Sequence, residues 1–317
     1  MAAQVHDICL ESDQHFDGRL PPHHLGFLFS DLPLVIRGAV AMALRNRSHT
    51  PGKLPNWVKR ASDIRFLGHR GNGETHLRFE LPSLGDAASA IYEQREFFDS
   101  GRPDGNLTGL DLFMKVVADI DENRADSNAF DPQLLRQFAK LHRFFKQGPF
   151  TGVRISGSET NRDQKVTMTR STVQNSRQLY GRTPTPQRTR IVGQLDGIEA
   201  STQRFSLLLD SGERVAGVYP EEISDKLQVL WRQRVLVLGT SVFRTSGNLL
   251  RVEAESIEEG KGVASLFSSA PIAGNGRLDL NRLRRSQGSR SGMVAIMNRW
   301  PGDETEEEIE AALELIS

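Results

Sequence analysis

Apolar residues recur at helical spacing along several stretches of this chain and alternate with polar ones along others. Leu34, Val35, Val40, Ala41 and Leu44 fall on one side of a helix predicted from Ser30 or Asp31 to about Arg47. Pro33 lies in its first turn, where a missing N–H costs nothing, and the cluster from Ser48 to Gly52 stops it. Residues 63–67 and 75–81 alternate as strands do, and the glycines between them, with Asn72 before Gly73, predict a hairpin. Helical spacing returns around 85–97, 107–123 and 132–146. In the last of these Leu134, Leu135, Phe138, Leu141 and Phe145 share a face, and Asp131 stands as a cap before Pro132. Short strands are predicted at 153–155 and 166–168, with a weak helix around 172–180. Residues 1–22 are polar, end in Pro21-Pro22, and read as a loose lead-in.

The pattern from 188 onward is β-β-β-α-β-β: strands at 188–199, 204–209 and 214–219, a helix at 221–230, then strands at 234–243 and 248–257. That order is OB-like and predicts a five-stranded barrel, with Gly193 permitting the sharp coil that closure needs. The predicted fold class is therefore α+β. A mixed helical N-terminal domain with a β-hairpin (23–187) precedes the OB-like barrel (188–259). A flexible basic linker (260–291) then leads to an amphipathic helical tail (292–317).

Charge sharpens this only locally. Lys and Arg number 40 and Asp and Glu 40, so whole-molecule charge points to neither nucleic acid nor membrane. A single cysteine, Cys9, excludes an internal disulfide and a Cys-rich zinc site. No secretory pattern opens the chain, and Asp31 and Arg37 interrupt its most apolar window, so a cytoplasmic protein is expected.

Candidate chemistry is sparse. His69, Glu74 and His76 place three zinc-type ligands on the first hairpin. A turn histidine and a strand-face histidine explain the same pattern, and without a fourth ligand at fixed spacing no metal or cofactor is assigned. Gly68, Gly71 and Gly73 lack the Lys-Ser/Thr of a phosphate loop, and Cys9 falls in the lead-in, a poor place for a nucleophile. With no catalytic motif the chain reads as non-enzymatic. The barrel strands carry Arg188, Arg190, Arg204, Arg214, Arg234, Arg244 and Arg251 with Phe205, Tyr219 and Phe243. These supply the basic groove and stacking platforms of a nucleic-acid-binding alternative.

In the tail, Met293, Ile296, Met297 and Trp300 share one helical face before Pro301-Gly302 breaks it. Thr305 and Glu308 form a capping box for a second helix with an Ile309, Leu313 and Ile316 seam, and both stripes can dock either on the protein's own body or on a partner. The run Ile296-Met297-Asn298-Arg299-Trp300-Pro301-Gly302-Asp303-Glu304-Thr305-Glu306-Glu307-Glu308-Ile309 resembles the C-terminal end of small bacterial antitoxins. Those accompany PIN-domain toxins, Mg²⁺-dependent ribonucleases. The resemblance implies a regulatory protein whose tail binds and neutralises such a toxin, gripping it through Trp300 and both apolar stripes while Arg299 faces the toxin's carboxylates. The upstream part resembles uncharacterised bacterial proteins with an OB-like module, which implies no activity.

Overall fold

The computed structural model describes residues 3–260 and 267–274, apart from residues 17, 18, 50, 51, 53, 73, 94–100, 147, 159, 160 and 162. The expected linker and tail, with Met293, Ile296, Met297, Arg299, Trp300, Ile309, Leu313 and Ile316, thus lie almost wholly outside the described residues.

Residues Ala3–Ser12 form strand β1, with His6, Ile8 and Leu10 on one face and Asp7, Cys9 and Glu11 on the other, Cys9 being buried as well. Helices α1 (Pro22–Arg45) and α2 (Asn56–Ala61) lead to the hairpin β2 (Arg65–Asn72) and β3 (Glu74–Pro82). Two short helices, α3 (Leu84–Ala87) and α4 (Ser89–Tyr92), precede α5 (Gly109–Asp121), α6 (Pro132–Phe138) and α7 (His142–Phe145). Strands β4 (Phe150–Ser156) and β5 (Lys165–Thr169) and helix α8 (Arg170–Arg182) complete this half.

The five strands make one antiparallel sheet ordered β2-β3-β1-β4-β5. Its inner face, with Ile8, Leu10, Leu77, Phe79, Val153 and Ile155, shares a core with Phe113, Val117 and Phe138 of the helices.

This architecture corrects the expected fold class. The N-terminal half is not a helical domain carrying one hairpin. It is a mixed α/β layer structure on an open five-stranded sheet, and that sheet is not a closed barrel. Residues 3–12 are the central strand rather than a loose lead-in, because β1 finds partners far along the chain in β3 and β4. Helix α1 also starts earlier than expected, at Pro22, and carries Pro33 in its interior. Burial of Leu28, Leu32, Val35, Ile36 and Val40 on one side offsets the hydrogen bond that Pro33 cannot make. Length and composition alone would let α1 cross a bilayer; in this fold half of its residues are buried, and it packs on α5 and α6.

A second sheet follows, built from β6 (Gln187–Glu199), β7 (Arg204–Leu208), β8 (Arg214–Val218), β9 (Arg234–Phe243) and β10 (Leu249–Glu259), with α9 (Ser224–Val229) between β8 and β9. It closes on itself in the order β10-β8-β7-β6-β9 around Ile191, Leu195, Phe205, Leu207, Val235, Val237 and Val252. Closure brings backbones close together: a Cβ on Gly239 would stand 2.1 Å from the Glu253 carbonyl oxygen.

Both sheets belong to one compact unit that ends at Gly274. Val242 and Leu250 of the closed sheet join the core of the first half. The Ser246 amide donates to the Ala125 carbonyl at 2.9 Å. Beneath these contacts lies a buried ion pair, Arg251 Nη2 to Asp131 Oδ2 at 3.0 Å, with Glu253 and Arg47 alongside.

A buried polar cluster ties β1 to α5. His6 is 1 % exposed, with Nδ1 3.2 Å from the Ser156 carbonyl oxygen and Nε2 3.0 Å from Thr108 Oγ1. Thr108 and Asp111 form the capping box of α5. Burial lowers the His6 pKa below 6.5, outweighing the nearby Asp111 carboxylate and the Ser156 carbonyl. The unfolded chain therefore binds the proton more readily, so this contribution is intact above pH 6.5 and is lost as pH falls below it. Thermal midpoints measured from pH 7.5 to pH 5.5 should fall, and His6→Gln should flatten that part of the profile.

Candidate metal centre

Antiparallel pairing sets three side chains in a row across the middle of the open sheet. Cys9 on β1 stands directly opposite His76 on β3 and opposite Arg154 on β4. Glu74, two residues before His76, shares its face because side chains repeat every second residue along a strand. Cys9, Glu74 and His76 thereby bring one thiol, one carboxylate and one imidazole within 4.8 Å of one another.

Two of the individual distances fall within the range that a coordination shell spans. Cys9 Sγ lies 3.5 Å from Glu74 Oε2, and His76 Nε2 lies 3.3 Å from the same oxygen. An ion at about 2.0–2.3 Å from four tetrahedral ligands separates them by roughly 3.3–3.7 Å. A mixed sulfur, nitrogen and oxygen set suits a borderline-soft cation such as zinc better than calcium or magnesium.

Arg154 is the resident cation of this cluster. Its Nη2 stands 3.3 Å from Cys9 Sγ and 3.1 Å from both Glu74 oxygens, while Nε is 3.8 Å from Glu11 Oε1. Hydrogen bonds from Arg154, then from the thiol, hold the Glu74 carboxyl below the ordinary range. Burial pushes the Cys9 thiol up, outweighing Arg154, so the thiol keeps its proton and donates it to Glu74. Glu11 gives the guanidinium an alternative partner on the same face.

The hairpin set read from the sequence changes one member. Arg70, not His69, faces His76 across the hairpin, and His69 pairs with Leu77 on the opposite face. The register shift between Phe66 and Gly68 precedes this placement. Cys9 replaces His69, delivered from a strand more than sixty residues away. His23 and His24 meet edge to face, with ring centroids 5.5 Å apart, and pack on Phe27 and Phe150.

The barrel arginines are committed to local partners rather than to a bare groove. Arg251 is buried on Asp131, Arg234 grips Asp210 through two bonds, and Arg214 pairs with Asp196 at 3.0 Å. Arg188 and Arg204 lie 3.6 and 3.8 Å from Glu255 and Glu199. Arg244 bonds the Asn128 side chain, and Arg190 is exposed. Phe205, Tyr219 and Phe243 are buried, so none offers a ring for a base to stack on.

The chain matches no family model, no curated protein and no solved structure. The designations antitoxin-like, OB-fold and nucleic-acid-binding drawn from the sequence thus find no support in any match. No family model carries them, and the paired arginines and buried aromatics of the closed sheet leave no stacking platform among the described residues.

Proposed function

We propose that this protein binds a zinc-type divalent cation through Cys9, Glu74 and His76 on the open face of its five-stranded sheet. The spacing of the three ligand atoms carries the reading, since two of their separations already equal the edge of a zinc tetrahedron. Binding would take the proton from the thiol and move Arg154 toward Glu11. Three protein ligands leave the fourth position to water or to an atom of a substrate, the coordination of an exchangeable or reactive ion rather than of a closed structural one.

Calorimetric titration of chelator-treated protein with zinc sulfate tests the proposal, with one ion per chain expected. Arg154→Ala should tighten binding several-fold, because it removes a competing cation. Glu74→Gln should weaken it. Absence of binding, or equal affinity in all three proteins, contradicts the assignment.

A further inference from the structure

A second site lies where the helical layer meets the closed sheet. A cavity of about 430 Å³ opens between α1, α5 and strands β8 and β10. That volume falls within the roughly 300–1,000 Å³ of small-molecule pockets, which favour junctions of this kind. Its floor is apolar, with Ala39, Met42 and Ala43 from α1, Leu112 and Val116 from α5, and Leu250 from β10.

The polar residues around that floor are one-sided. Lys115, Arg204 and Arg244 line the cavity, and among the described residues no acidic one does. Lys115 is exposed and has no acidic partner among the described residues. Arg204 stands 3.8 Å from Glu199, a carboxylate that Arg102 already holds at 2.9 Å, so two guanidinium groups share one negative charge. Arg244 lies 3.8 Å from Asp126, whose oxygen accepts from Ser246 at 2.7 Å and Asn248 at 3.0 Å. The mouth therefore carries excess positive charge over an apolar floor.

We infer that this cavity binds a small organic carboxylate with an apolar body, its tail on the α1–α5 floor and its headgroup among Lys115, Arg204 and Arg244. An uncharged molecule of the same shape leaves Lys115 unpaired and the shared charges of Arg204 and Arg244 uncompensated. A cationic amphiphile meets repulsion at the mouth.

Decanoate is the probe, titrated calorimetrically into the full chain in a chelating buffer, with decanol and decyltrimethylammonium for comparison. Decanoate should bind and the other two should not. Lys115→Glu, at an exposed position that leaves the fold intact, should weaken decanoate by about fivefold or more. Ala43→Phe should abolish binding by filling the floor, with an unchanged near-ultraviolet dichroism spectrum showing that the variant is folded. Cys9→Ser should bind decanoate as the parent does, which separates this site from the metal centre. No decanoate binding, equal binding of decyltrimethylammonium, or indifference to both Lys115→Glu and Ala43→Phe overturns the inference.

Discussion

Asp131→Ala is expected to destabilise the protein by about 3–5 kcal/mol, the cost of leaving one member of a buried ion pair alone. The Asp131 and Arg251 side chains are 1 % and 4 % exposed, so water replaces neither partner. Asp131 also caps α6 through the Leu134 amide and accepts from both the amide and the hydroxyl of Ser48. Burial alone would push its carboxyl up. Arg251, Ser48 and the Leu134 amide outweigh that and hold it below 3.8, so the pair forms above this pH and is lost as pH falls through the depressed value.

Urea denaturation monitored by dichroism measures the effect. Arg251→Met should cost a similar amount, because it strands the carboxylate, while the double variant Asp131→Leu/Arg251→Met should recover much of the loss. The ion pair joins α6 to β10, so either single change should also loosen the closed sheet from the helical layer. A loss below about 1 kcal/mol in both single variants would mean that the junction rests on Val242, Leu250 and the 245–248 loop instead.

Cys9→Ala and His76→Ala should each lower zinc affinity by at least about 100-fold, since groups merely contacting a metal's ligands are already worth 10–100-fold. Competition with a chromophoric chelator reads this directly. His69→Ala is the informative control, because His69 lies on the other face of the hairpin and should bind as the parent does. Loss of affinity in His69→Ala with none in Cys9→Ala would restore the hairpin-only ligand set and refute the cross-strand one.

Local signals in the sequence were well defined, and long-range pairing was not. Asp131 before Pro132 marks the start of α6, and the alternation around Glu74–Leu81 marks β3, because caps and two-residue periodicity act over a few residues. The His6, Ile8, Leu10 alternation was present too, but Pro21-Pro22 and the polar neighbours masked it. A strand shows its partners only once β3 and β4 are placed beside it. Half of the candidate centre was therefore visible as Glu74 and His76. Cys9 and Arg154 arrive by pairing across 65 and 80 residues from Glu74, and no local spacing encodes them. The arginines of the closed sheet misled for a related reason: sequence shows their charge but not the carboxylates that neutralise it.

X-ray absorption at the zinc edge of the loaded full chain reads the ligand set itself. One sulfur at about 2.3 Å with nitrogen and oxygen at about 2.0–2.2 Å is expected, with the sulfur shell gone in Cys9→Ala. A shell of nitrogen and oxygen alone in the parent protein, or one unchanged by removing Cys9, would contradict that ligand set.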